Sequence, residues 1–208
     1  MKFVLNKTYY RGNVYEWNLP TGWSCPFAYE CLVKVDKKTG KFANKSNAYK
    51  CYAAAAERFP GVREMRWKNY EHVKNGNPII IPADARAIRV HMSGDFFSQE
   101  YFDTWMELAR NNPGVEFWAY TKSLNYWVAR IDTIPANFIL TASYGGRHDY
   151  LIAKHNLKNV IIVAHAGHIT DGRPIDTNDD YARMPFINFA LLDVNTKGKR
   201  KQKKQTKK

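Results

Sequence analysis

Apolar and polar positions alternate with two different periods along the middle of the chain. RAIRVHM (86–92) holds an alternating β-branched stretch and predicts a strand. After SGDFF, the residues Tyr101, Phe102, Trp105, Leu108 and Ala109 share one face at helical spacing, so a helix is expected from about Ser98 to Asn111. Ser98 is its expected N-cap, and Asn112-Pro113-Gly114 is its stop. The cycle then repeats. VEFWAYT (115–121) is a strand, and Ser123 is expected to cap a helix with Leu124, Trp127, Val128 and Ile131 on one face, broken by Pro135. NFILTAS (137–143) is a strand, YGGR a turn, 148–156 a short helix, and NVIIVAH (159–165) a strand.

The starts of these strands, near 86, 115, 137 and 159, lie about 22–29 residues apart. Such spacing is that of β-α-β units and implies a parallel sheet. VYEWNL (14–19) and PFINFALLDV (185–194) predict two flanking strands, with helical material between about 47 and 75. The expected fold class is therefore α/β, built from six parallel β/α units. Six units form either an open doubly wound sheet or a partial, TIM-like barrel, and the partial barrel is favoured. A complete eight-stranded barrel needs about 250 residues, more than the 208 present.

In both architectures ligands bind beyond the carboxyl ends of the strands. The first strand is followed by PTGWSCPFAYEC, with Cys25 and Cys31. The second ends in Ser93-Gly94-Asp95, the third in Tyr120-Thr121-Lys122-Ser123, the fourth in Tyr144-Gly145-Gly146-Arg147-His148. The fifth leads to His165, His168 and Asp171. Thiols, carboxylates, imidazoles and cations thus gather on one rim, whereas the opposite strand ends carry little beyond turn residues. The arrangement points to an enzyme or a tight binding site.

Cys25 and Cys31 are separated by five residues, and Cys51 follows after nineteen more. Three thiolates suit an iron–sulfur cluster with one open iron, or zinc with a fourth ligand such as His72. The alternative for Cys51, in the run CYAAAAERF, is a buried apolar cysteine. Asp95 has two readings as well: a carboxylate that receives a ligand's ammonium or hydroxyl, or a residue that helps cap the following helix. His165 and His168 could face one metal, or be exposed. Trp17, Trp23, Trp118 and Trp127 are expected to be packing residues.

Composition narrows the class. An apolar content of 45% is ordinary for a globular domain, and three cysteines are too few for a disulfide scaffold, so a reduced, cytoplasmic chain is expected. No apolar run is long enough for a membrane span. The formal charge is +13, but KGKRKQKKQTKK (197–208) holds eight of the 32 basic side chains and no acid, which leaves +5 over residues 1–196. The expected organisation is one β/α domain over 1–196 followed by a disordered basic tail over 197–208. Lys199, Arg200, Lys201, Lys203 and Lys204 would give that tail its affinity for nucleic-acid phosphates, or merely keep the chain soluble. KVDKKTGKFANKSN (34–47) reads as an exposed basic loop turning at Gly40.

The segments WNLPTGWSCPFAYEC, CYAAAAERFPGVREMRWKNY and VHMSGDFFSQEYFDTWMELARNNPGVEFWAYTKS resemble the phage gene 88 protein family, first described in mycobacteriophages. The resemblance covers roughly residues 10–165. It implies a phage origin, with a host-cell cytoplasmic location, rather than a reaction. A second resemblance is architectural. Radical S-adenosylmethionine enzymes place three cluster-binding cysteines after the first strand of a six-unit partial barrel, and a Gly-Gly-acid motif at the end of the second strand holds the methionine amino group. On this resemblance Cys25, Cys31 and Cys51 would hold a [4Fe–4S] cluster, while Ser93, Gly94 and Asp95 would contact S-adenosylmethionine. Asp95, Lys122, Arg147 and His148 would be catalytic residues on the substrate side. The cysteines are more widely spaced than in that family, and Ser-Gly-Asp stands where it has Gly-Gly-Glu. The function expected first is a radical-SAM-like metalloenzyme acting on a nucleotide or nucleic acid. The alternatives are a non-catalytic module binding nucleic acid or a host protein, and a zinc-stabilised base-modifying enzyme with Asp95 as nucleophile or base.

Overall fold

The computed structural model describes residues 1–6, 12–43 and 51–193. Eight strands form one sheet: β1 (Val4–Asn6), β2 (Val14–Trp17), β3 (Ala87–Val90), β4 (Glu116–Thr121), β5 (Phe138–Ser143), β6 (Asn159–Val163), β7 (Ile175–Asp176) and β8 (Phe189–Leu192). Their spatial order is β1-β2-β3-β4-β5-β6-β8-β7. All neighbours are parallel except β1, which runs antiparallel to β2. The sheet is open, with β1 and β7 at its edges. From β1 to β6 the order follows the chain without reversal, unlike a doubly wound sheet, whose order turns back at a switch point.

Among the described residues five α-helices accompany the sheet: α1 (Tyr52–Ala56), α2 (Pro60–Lys74), α3 (Gln99–Asn111), α4 (Leu124–Val128) and α5 (Tyr150–Lys154). The side-chain alternation of the strands explains where they sit. Trp17, Ile88, Val90, Phe117, Ala119, Phe138 and Leu140 join Phe102, Trp105 and Met106 of α3, Leu124 of α4, and Leu151 and Ile152 of α5 in the main core. On the other face Val14, Ala87, Trp118, Val160 and Phe189 form a smaller core, closed by Tyr181 and Ala182. With both faces covered, the strands read as nearly continuous apolar runs.

All six expected strands are present, shorter than expected at several ends. β1 and β7, three and two residues long, are additions too short to carry a pattern. Ser98 caps α3 as expected, accepting from the Tyr101 amide at 3.2 Å. Ser123 does not cap α4: its hydroxyl donates to the Phe96 carbonyl at 2.7 Å, joining two strand ends instead. The described part of the basic insert is a turn around Gly40, yet Val35 within it is fully buried and packs with Val33 and Ala54. Trp17, Trp118 and Trp127 are buried, whereas Trp23 is 41% exposed beside Trp67. The basic tail, with Lys199, Arg200, Lys201, Lys203 and Lys204, lies outside the described residues. Among the described residues no helix is long and apolar enough to cross a membrane.

Gly94 sits where two strand ends meet. Its φ is +90°, and a Cβ there would lie 2.6 Å from the Ser24 Oγ and 2.7 Å from the Leu19 Cβ. Strain and overlap together should make Gly94→Ala cost about 2–4 kcal/mol. Gly114→Ala, which meets nothing within 4 Å, is the control and should change urea stability little.

Candidate functional site

A cavity of about 430 Å³ opens at the carboxyl ends of the parallel strands. Cys25 and Cys31 reach it from the segment after β2, and Cys51 from the start of α1. Ser93, Gly94 and Asp95 follow β3, Thr121 and Lys122 end β4, and Ser143, Tyr144 and Gly145 end β5. Six of the residue positions singled out from the sequence, the three cysteines and the Ser-Gly-Asp turn, therefore meet on one wall, and Lys122 joins them.

The two cysteine-bearing segments are held together by a buried ion pair. Glu57 is fully buried, and its Oε1 accepts from the Thr21 amide at 2.7 Å and from Arg66 Nη1 at 3.0 Å. The same Arg66 nitrogen donates to the Ala53 carbonyl at 2.9 Å, two residues after Cys51. Arg63, Arg66 and Asn69 form a buried polar stripe on α2. Nothing in the apolar period marks that stripe, so sequence reading gave only helical material there. Inward-facing charges at i and i+3 were the available signal.

A second set of polar links runs across the strand ends. Ser93 takes the Asn18 Oδ1 on its amide at 3.0 Å and donates its hydroxyl to the Leu19 carbonyl at 2.8 Å, joining β2 to β3. Asp95 joins β3 to β4. Its Oδ1 accepts from the Phe96 amide at 2.8 Å and the Thr121 hydroxyl at 2.6 Å, and its Oδ2 from the Lys122 amide at 2.8 Å. Lys122 joins β4 to β5. Its Nζ donates to the Ser143 carbonyl at 2.9 Å, the Ser143 Oγ at 2.8 Å and the Tyr144 carbonyl. An ammonium has three donors, and all three are engaged. Asp95 thus ties two strand ends rather than capping α3, and Lys122 acts on its neighbours rather than on the open cavity.

The cysteines are free thiols, each half-buried. Burial, as the largest cause, raises all three pKa values, most for Cys25; repulsion from neighbouring thiols adds to it for Cys25 and Cys51, while the Lys122 ammonium pulls Cys31 back down. A thiolate is the metal-binding form, so cations that displace these protons would find three sulfur donors lining one cavity. Among the described residues, no group of three or more His, Cys, Asp or Glu stands close enough to hold a single metal ion.

The remaining expected site residues lie elsewhere. Arg147 is exposed, 6.0 Å above the Tyr29 ring, and the His148 ring is tilted against Phe27 with centres 4.8 Å apart. Both belong to the rim, outside the cavity lining. His72 bonds the Pro78 carbonyl at 2.9 Å and does not reach the cavity. His165 and His168 are exposed, with ring centres 3.6 Å apart, away from the thiols. A group missed in the sequence lies on the sheet face of the smaller core. Tyr120 donates to Asp179 Oδ1 at 2.8 Å, and Arg89 pairs with Asp179 Oδ2 at 3.0 Å. The three are 59 and 90 residues apart at their extremes of separation from Asp179, so no local pattern joins them.

The model of the family described as "Gene product 88" matches residues 4–208. The chain belongs to this family. A relative, the "Gene 88 protein" of Mycobacterium phage L5, is 49% identical over 37 residues, which is 18% of this chain and 16% of that protein. No solved structure matches. Family membership supports the resemblance read from the Ser-Gly-Asp and Tyr-Thr-Lys-Ser segments, and it carries no reaction with it.

Asp95 gives a sharp test of the strand-end links. In Asp95→Asn the carboxamide nitrogen must face at least one of the three donors, leaving a buried N–H or O–H opposite an NH₂. The cost should be about 1–3 kcal/mol at neutral pH. Burial, as the largest cause, pushes the Asp95 carboxyl up, while the Thr121, Lys122 and Phe96 donors pull it down. Because folding raises this pKa, its contribution is fully present below the unfolded value near 4 and is lost as pH rises through the folded value. The stability gap between the wild type and Asp95→Asn, which cannot titrate, should therefore widen as pH falls, in urea titrations at several pH values.

Proposed function

We propose that this protein is a radical-SAM-like iron–sulfur enzyme that acts on a nucleotide or nucleic acid. The observation that carries this reading is the convergence of Cys25, Cys31 and Cys51, from two separate segments, on the cavity that also receives the Ser93-Gly94-Asp95 turn. The donor set fits an iron–sulfur cluster, since thiolates are its usual ligands and three leave one iron open. It fits a single metal ion less well, since the thiols do not converge closely enough for one. Read this way, the parallel strands β2, β3, β4, β5, β6 and β8 are the six units of a partial barrel.

Bound together, the cluster and S-adenosylmethionine would supply the radical chemistry. The chain's own residues bind, orient and exclude water. Cys25, Cys31 and Cys51 would hold the cluster. The backbone of Ser93 and Gly94 would lie along the cofactor. Asp95 and Lys122 act as positioning residues, fixing the strand ends that form the wall. Tyr120, beside the Arg89–Asp179 pair, would form the floor on the substrate side.

The zinc-based alternative needs Asp95 as a nucleophile or base. Both of its oxygens already accept hydrogen bonds that join β3 to β4, so that role is less well supported. The binding-module alternative has no use for three thiols on one wall.

Anaerobic reconstitution with iron and sulfide should turn the protein brown, with broad visible absorption. Cys25→Ala, Cys31→Ala and Cys51→Ala should each lower iron binding severalfold, and S-adenosylmethionine should be retained in equilibrium dialysis only by the loaded protein. A protein that stays colourless, or colour that survives replacement of all three cysteines, would contradict the proposal and leave the binding module in its place.

A further inference from the structure

We infer that the rim beside the cavity is a stacking surface for unpaired nucleobases, and hence that the partner is a single-stranded nucleic acid. The inference deepens the proposed function by naming the substrate class, but the surface itself exists without any cofactor.

The rim is built by two segments stitched together. The amides of Tyr29 and Glu30 both donate to the Gly145 carbonyl at 3.1 Å, and the Arg147 amide donates to the Phe27 carbonyl at 2.9 Å. The Asp149 carboxylate takes the amides of Gly145 and Gly146 at 2.8 and 3.0 Å, fixing the turn. This frame holds aromatic rings outward. Tyr29 is 67% exposed and Tyr150 is 64% exposed. The His148 ring lies 4.8 Å from Phe27 and 6.2 Å from Tyr150, and the Arg147 guanidinium lies 6.0 Å from Tyr29. Phe27, His148 and Tyr150 form a row of rings, with Tyr29 and Arg147 beside it.

Exposed rings held by a fixed backbone, with a guanidinium among them, match the chemistry that binds single strands. Bases stack on the rings whatever their identity, while cations follow the phosphates. Charge selects the partner. The chain carries +13, with eight basic side chains in residues 197–208. Of the two acids of this rim, Asp149 has both its oxygens turned to backbone amides, while the exposed Glu30 carboxylate lies beside Gly145, so the rim's own charge is near balance and the excess of cations comes from the rest of the chain. A duplex hides the faces of its bases and could offer this surface only its backbone.

The test uses the full-length protein and short fluorescein-labelled oligonucleotides: single-stranded DNA, single-stranded RNA and the matched DNA duplex. Single strands should bind at least tenfold more tightly than the duplex. Preference for either sugar fits the inference and identifies the natural partner. Tyr29→Ala combined with Tyr150→Ala should weaken single-strand binding about tenfold or more while leaving the salt slope unchanged. Tyr29→Phe with Tyr150→Phe should keep the affinity, because the ring remains. Deleting residues 197–208 should also weaken binding but, unlike the tyrosine changes, should flatten the salt slope. Absent single-strand binding, equal binding of the duplex, or an alanine variant that binds like the wild type would overturn the inference. Iron loading of the same variants is measured in parallel. Weakened strand binding with normal iron loading in the alanine variant would assign the loss to the rim itself, whereas a wild type that loads iron but binds no single strand would overturn the rim inference and leave the cofactor reading standing.

Discussion

At Asp95 a buried carboxylate is held by three donors, two of them from the next strand. Removing such a group from water is costly unless its oxygens are hydrogen-bonded, and the donors of Phe96, Thr121 and Lys122 meet that need. The geometry of the strand ends follows from this link. Thr121 and Lys122 are fixed by Asp95, and the Lys122 ammonium in turn fixes Ser143 and Tyr144. On the other side, Ser93 is fixed by Asn18 and Leu19. Four neighbouring strands are therefore joined at one rim by side chains, beyond the hydrogen bonds of the sheet.

A rigid rim gives a floor but does not bring the thiols together. That step belongs to Glu57 and Arg66, which join Thr21, ahead of Cys25, to Ala53, just after Cys51. A buried pair of this kind adds little net stability relative to apolar packing, yet losing either partner strands a charge. Its best account is specificity of arrangement: it selects the fold of a long irregular segment in which cysteines far apart in sequence share one wall. The raised thiol pKa values belong to the same arrangement, since burial and proximity both disfavour three thiolates without a cation among them.

Much of this fold was legible in the sequence because its strands are covered on both faces and its helix α3 shows a clean apolar stripe with a serine cap. Strand-end reading also located Cys25, Cys31, Ser93, Gly94, Asp95 and Lys122 at one rim, because a parallel sheet places every such end on the same side. Roles were less legible than places. Asp95 and Lys122 look like free reactive groups in a linear sequence, and only the fold shows that each is bonded to a neighbouring strand. Arg147 and His148 follow β5 as expected, but the turn at Gly145 carries them past the cavity to its rim. Glu57, Arg66 and the Tyr120–Arg89–Asp179 group escaped notice because their partners are distant in the chain and no period connects them. β1 and β7 were too short to announce themselves.

The most direct measurement is the location of iron in crystals of anaerobically reconstituted protein, by anomalous scattering at the iron edge. The proposed site predicts a strong iron peak within the cavity, bonded to the sulfurs of Cys25, Cys31 and Cys51 and adjoining Gly94. Iron bound elsewhere, or crystals with three unligated thiols and no iron peak in the cavity, would contradict it.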